Sequence, residues 1–257
     1  MPKFAANLTM LFGEMPFLDR FAAAKAAGFS GVEYLFPYEF EKAALREQLQ
    51  QHGLTQVLHN LPAGNWAAGE RGIASLPDRA EEFRSSVATA LRYADATGVK
   101  RLHVMSGNAD RRNPANVRAY EDALRHASDA AAPKGLVVVI EPINGRDMPN
   151  YFLNDFNYAV DMIVRLGLPN LRLQYDVYHR QILHGDVLKS LAALMPLVAH
   201  MQIAAVPDRN EPGTGELDDA RVFRTIDQLG YSGYVGCEYR PANGTLPGLS
   251  WMRALGV

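Results

Sequence analysis

Cysteine is almost absent from the chain. Cys237 is the only one in 257 residues, so no disulfide can close within the chain and a reducing compartment is expected. Long apolar runs are missing as well. Nothing approaches the roughly 18 consecutive apolar residues of a membrane helix, and Met1-Pro2-Lys3-Phe4-Ala5-Ala6-Asn7 carries no secretion-type apolar segment. A cytoplasmic protein with no membrane partner is expected. Excess charge of either sign is lacking, with 26 Lys and Arg against 28 Asp and Glu. Such a balance offers no basic face for nucleic acid and no charged tail. No linker-like stretch or composition shift divides the sequence, and residues 1–257 read as one domain.

What is present is organised around Leu136-Val137-Val138-Val139-Ile140-Glu141-Pro142-Ile143-Asn144. Consecutive β-branched residues without period-2 alternation predict a parallel strand buried on both faces. The run stops on a carboxylate, and Pro142 takes the chain out of the strand. Around it, strand and helix patterns alternate throughout. Strands are expected at 4–8, 32–35, 54–59, 101–105, 136–140, 171–175, 198–203 and 233–237. Helices are expected at 17–27, 41–52, 78–97, 113–132, 154–166, 186–195 and 218–229, with a short one from about Gly248. Gly28, Gly53 and Gly98 stand where helix C-caps prefer glycine, and Asn154 is a candidate N-cap. Eight strands alternating with eight helices is the pattern of a (β/α)8 TIM barrel. A doubly wound sheet is the rival, and no Gly-rich phosphate fingerprint follows the first strand.

Chemistry in such barrels sits at the C-terminal ends of the strands. Strand five ends at Glu141, strand six at Asp176, strand seven near Gln202 and strand eight at Glu238. Each alone reads more readily as a strand end emerging into water than as a ligand. Together they would repel, and a divalent cation is the economical way to hold them, with oxygen ligands favouring Mg or Mn. Whether turnover needs the ion is left open. His59 and His103 follow strands three and four and are candidates to line the pocket; a structural hydrogen bond would explain either equally well.

Six blocks carry a resemblance that covers essentially the whole chain. They are Ala6-Asn7-Leu8-Thr9-Met10-Leu11-Phe12, His103-Val104-Met105-Ser106-Gly107, Glu141-Pro142-Ile143-Asn144, Gln174-Tyr175-Asp176-Val177-Tyr178-His179, His200-Met201-Gln202-Ile203-Ala204 and Gly236-Cys237-Glu238-Tyr239. In this order they resemble the hydroxypyruvate isomerase family, including its 2-oxo-tetronate isomerases, within the xylose isomerase-like TIM barrels. The resemblance implies that Glu141, Asp176, Gln202 and Glu238 are the metal-site residues, with Glu141 and Glu238 the acid–base pair. It implies a substrate contact for His179, as in the related ketose 3-epimerases. Arg209, in Pro207-Asp208-Arg209-Asn210-Glu211-Pro212-Gly213, matches the loop that supplies a substrate-binding arginine.

Isomerising an α-hydroxy ketone needs a base for a weakly acidic C–H and something to hold the charge that develops on oxygen. Arg209 is expected to anchor a substrate carboxylate, because a guanidinium fits one bidentately and keeps its charge. The expected partner is therefore a small hydroxy-keto acid. Hydroxypyruvate, giving 2-hydroxy-3-oxopropanoate (tartronate semialdehyde), is the first reading and a 2-oxo-tetronate the near alternative. A ketose 3-epimerase, an apurinic-site endonuclease and a non-catalytic sugar-acid binder are more remote. A homo-oligomer is left open.

Overall fold

A computed structural model of the chain describes residues 1–254; the last three residues of the expected 1–257 domain lie outside the described residues. The strands are β1 (Lys3–Asn7), β2 (Gly31–Glu33), β3 (Thr55–Asn60), β4 (Arg101–His103), β5 (Val137–Ile140), β6 (Leu171–Asp176), β7 (Val198–Ile203) and β8 (Tyr234–Cys237). Each pairs in parallel with the next, and β8 pairs with β1, so the sheet closes into a barrel. Helices α1 (Asp19–Ala26), α2 (Lys42–His52), α3 (Ala80–Thr97), α4 (Pro114–Ala131), α5 (Phe156–Leu166), α6 (Val177–Leu183), α7 (Val187–Leu194) and α8 (Asp219–Gln228) intervene, and α9 (Thr245–Gly248) and α10 (Ser250–Ala254) follow β8.

Local chemistry sets the boundaries. Helix α2 stops where Gly53 takes the left-handed conformation (φ 59°), which lets its N–H turn back on the carbonyls of Leu49 and Gln50. Helix α5 starts one residue later than Asn154 suggests, because the Asp155 carboxylate accepts from the Tyr158 N–H at 2.9 Å. Helix α6 is not among the expected elements. It begins directly after β6, capped by Asp176, whose Oδ1 accepts from the Tyr178 N–H at 2.7 Å. Strand β2 is shorter than its apolar run: Leu35 leaves the ladder and donates its N–H to the Thr9 hydroxyl at 2.9 Å.

The barrel interior is layered. Ala5, Val57, Leu58 and Val139 pack together low in the barrel, apart from the larger apolar layer between sheet and helices. Side chains two residues further along their strands face the same way. There the interior turns polar: Asn7, Glu33, His103, Glu141, Gln174, Asp176, His200, Gln202 and Glu238 are all buried. An apolar floor below and polar residues at the strand ends place the chemistry at the C-terminal face.

Candidate active site

Glu141 follows the last residue of β5, two positions beyond the inward-facing Val139, so strand parity delivers its carboxylate into the mouth. Asp176 ends β6 and His179 lies in the first turn of α6, three residues on. Nε2 of His179 is 3.8 Å from Glu141 Oε1 and 3.7 Å from Asp176 Oδ2. Neither of those oxygens has a hydrogen-bond partner, although both are buried. One ligand atom from each of the three residues lies within 4.8 Å of the others, a spacing that a divalent cation could bridge. Orphaned buried oxygens of this kind are costly unless something positive meets them, so the two carboxylates, Glu141 and Asp176, fit a metal ion. His103 closes the other flank: its Nε2 is 3.8 Å from Glu141 Oε2, and its Nδ1 is 3.2 Å from Asn60 Oδ1.

Arg209 enters from the loop between β7 and α8. Its own backbone is left-handed (φ 59°), and it follows a cis Val206–Pro207 peptide bond. The guanidinium divides between two acids, donating from Nη2 to Glu238 Oε2 at 3.1 Å and from Nη1 to Asp147 Oδ2 at 3.0 Å. It lies over the Tyr178 ring, 5.0 Å from the centroid, and its Nε is buried without a partner. Glu238 is therefore beside Arg209 at one side of the mouth.

Gln202 is engaged lower in the barrel. Its Nε2 donates to Glu33 Oε1 at 2.8 Å, and its Oε1 accepts from Gln174 Nε2 at 2.6 Å. Gln174 Nε2 also donates to Glu141 Oε2 at 3.0 Å. Glu33 is fully buried and accepts further from His200 Nε2 at 2.7 Å and Asn7 Nδ2 at 3.0 Å. A hydrogen-bonded chain thus runs from the barrel centre to the Glu141 carboxylate. Gly236 makes room for it, since a Cβ there would fall 2.3 Å from Glu33 Oε1.

His59 is placed elsewhere. Its neighbours along β3 put it on the helix side of the sheet, where Nδ1 accepts from Gln56 Nε2 at 2.9 Å and the ring meets Tyr38 edge-on. The structure thus groups Glu141, Asp176, His179 and His103, places Arg209 with Glu238 beside them and Gln202 beneath, and leaves His59 outside. Sequence reasoning gave no role to Asn7, Glu33, Gln174, His200, Asn144 or Asp147. Gln174 and His200 were findable, since each lies two residues before a predicted ligand on the same strand face. Glu33 had a signal too, a carboxylate inside the apolar run Val32-Glu33-Tyr34-Leu35.

Burial dominates the electrostatics. It pushes the Glu141 carboxyl well above its usual range, helped by the charges of Glu238 and Asp176. It raises Asp176 to about 6 and Glu238 to about 8, in both cases against the opposing pull of Arg209. Burial lowers His103 and His59 to about 3 and holds His179 well below the ordinary imidazole range, so these rings are neutral. For Arg209, burial opposes the charge, but Glu238, Asp176 and Asp147 together keep the guanidinium firmly protonated. The mouth can therefore shuttle protons between carboxyl groups while presenting one fixed cation.

Comparison with known proteins agrees with this architecture. The family described as xylose isomerase-like TIM barrel matches residues 21–255. A 2-oxo-tetronate isomerase from Cupriavidus necator is 50% identical over 98% of both chains, and a hydroxypyruvate isomerase from Escherichia coli is 43% identical over 98% of both. A crystal structure described as an AP endonuclease of family 2, from Brucella melitensis, is 46% identical, covers 99% of both chains and superposes with a TM-score of 0.96.

Proposed function

The chain belongs to the xylose isomerase-like TIM barrel family, and we propose that it is an aldose–ketose isomerase of small hydroxy-keto acids. The observation that carries this reading is the pairing of buried carboxyl groups, Glu141, Asp176 and Glu238, with the buried guanidinium of Arg209 in one mouth. Glu141, Asp176, Gln202 and Glu238, with His179 adjoining, are the residues proposed to surround a divalent cation, Mg or Mn. Such an ion, when bound, supplies Lewis-acid polarisation of neighbouring substrate oxygens.

Arg209 orients the substrate by its carboxylate, using Nε and the guanidinium hydrogens not committed to Glu238 and Asp147. In a 3-hydroxy-2-oxo acid, Glu141 or Glu238 then takes the proton from C3. The C–H electron pair forms the C2–C3 double bond, and negative charge gathers on the oxygen of C2. Return of a proton to C2, with transfer of the hydroxyl proton from the C3 oxygen to the C2 oxygen, gives the 2-hydroxy-3-oxo product. The Glu238 carboxyl, raised to about 8 by burial, suits this exchange, because its proton affinity approaches that of the neutral solution around it.

Hydroxypyruvate is the smallest acid that meets these requirements. A four-carbon 2-oxo-tetronate is the second reading, favoured by the 50% identity to the Cupriavidus enzyme. Purified protein assayed on both acids, with and without a chelator, tests the proposal. Turnover is expected on at least one, lost on chelation, with Glu141→Gln and Glu238→Gln each lowering kcat by about 100- to 10,000-fold. No turnover of either acid, or equal kcat/KM on neutral ketoses, would remove it.

A further inference from the structure

Asn144 lies three residues beyond Glu141, and its amide meets the face of His179 turned away from the two carboxylates. Nδ1 of His179 is approached by the Asn144 side-chain Nδ2 at 2.7 Å and by the Asn144 backbone N–H at 3.3 Å. The orientation of that amide is set independently. Its Oδ1 accepts from the backbone N–H groups of Arg146 at 2.9 Å and Asp147 at 3.1 Å, while Nδ2 also faces Asp147 Oδ2 at 3.3 Å. Turning the amide over would set an oxygen against a carboxylate and an NH2 against two donors. Nδ1 therefore confronts two N–H groups and must present its lone pair. The ring proton is left on Nε2, which points into the gap between Glu141 Oε1 and Asp176 Oδ2.

We propose that Asn144 is a positioning residue that holds His179 as the Nε2–H tautomer, making His179 a hydrogen-bond donor to a substrate oxygen and excluding it from the metal's ligands. A ligating histidine needs a lone pair on the nitrogen that faces the metal, and it ordinarily donates from its other nitrogen to an acceptor. His179 has the reverse arrangement. At 3.7 and 3.8 Å its Nε2 is too far from Asp176 and Glu141 to be satisfied by them, so its proton is free for an oxygen that enters the gap. Charge gathering on that oxygen during proton transfer strengthens the bond, which is where a preformed donor contributes most.

The identity of the acceptor rests on the isomerase reading; the tautomer and the ligand set do not, and the test separates them. In 15N-histidine-labelled, metal-free protein, the His179 resonances should report a protonated Nε2 and a bare Nδ1. Asn144→Asp keeps the acceptor for Arg146 and Asp147 but sets a carboxylate against Nδ1. It should move the proton to Nδ1 and lower kcat by about 100-fold or more, with KM changed much less. His179→Ala should bind Mn2+ within about twofold of the parent yet lose kcat to a similar extent, and His179→Gln, which retains an N–H donor, should recover part of that loss. A protonated Nδ1 in the parent, or a loss of Mn2+ affinity of tenfold or more in His179→Ala, would overturn the assignment. A kcat loss below about threefold in His179→Ala would overturn the donor role. If the parent turned over neither acid while the spectrum and the Mn2+ titration behaved as stated, the isomerase reading would fail by itself.

Discussion

Replacing Arg209 with lysine separates carboxylate binding from every other task in the mouth. The guanidinium reaches Glu238 and Asp147 through different Nη atoms, at 3.1 and 3.0 Å, and still keeps a buried Nε–H without a partner. A lysine ammonium is a single point on a flexible stem and cannot bridge both acids while also gripping an incoming carboxylate in two places. At least one charge-assisted hydrogen bond to the substrate is lost, worth about 1.5–3 kcal/mol. With tenfold for every 1.4 kcal/mol, KM for hydroxypyruvate should rise about 10- to 150-fold. Lost support for Glu238 would also lower kcat, so a neutral counterpart is needed as a control. Dihydroxyacetone has a hydroxymethyl group where hydroxypyruvate has its carboxylate, and damage acting through Glu238 falls on both alike. The expected result is a KM rise confined to the acid, followed by NMR of substrate and product under initial-rate conditions. An equal fall in kcat/KM on both substrates would refute carboxylate anchoring and leave Arg209 as the partner of Glu238 alone.

Gly236→Ala tests the polar chain beneath the site. Its Cβ would lie 2.3–2.4 Å from the Glu33 carboxyl group, which three donors hold in place, so overpacking should cost about 1–3 kcal/mol. A fall in Tm of about 2–4 °C per kcal/mol is expected by calorimetry, and an unchanged Tm would mean that Glu33 moves freely. Stability of the chelated protein should fall as pH rises from about 7.5 to 8. In that window Glu238, raised to about 8 by burial, keeps its proton in the folded state and has lost it in the unfolded chain. The depressed imidazoles of His59, His103 and His179 are neutral in both states once the pH is about one unit above their ordinary value of 6.5, so they drop out of that window. The slope is at most about 1.4 kcal/mol per pH unit for each such carboxyl group, read from urea midpoints; a flat or rising profile would contradict it.

The barrel was legible because its signals are local. Val137 to Ile140 read as a buried parallel strand from their β-branched run alone, and glycines such as Gly53 and Gly98 end helices where their left-handed backbone is needed. The carboxylates at the ends of β5, β6 and β8 were legible for the same reason, each marking a polar break after an apolar run. Contacts between distant residues were not. Asn144 and His179 are 35 positions apart and Gln202 and Glu33 are 169 apart, so nothing in either neighbourhood announces the other. Helix α6 escaped because it is only seven residues long and is capped by Asp176, a residue already read as a ligand. His59 went to the wrong side of the expected pocket by parity: it alternates with Leu58 and Asn60, and only pairing with β4 reveals which of them turns inward.

The stopper formed by Ala5, Val57, Leu58 and Val139 plugs this barrel beneath its polar layer. Among the described residues, this apolar plug and the interlocked amides above it fill the barrel centre, so reactant, product and exchangeable hydrogen are expected to share the opening framed by the loops. A hydrogen lifted from carbon is thereby shielded from bulk water on every side but one. An antibody fragment raised against the loop rim would act as a plug, whereas one bound to the opposite pole would leave traffic untouched.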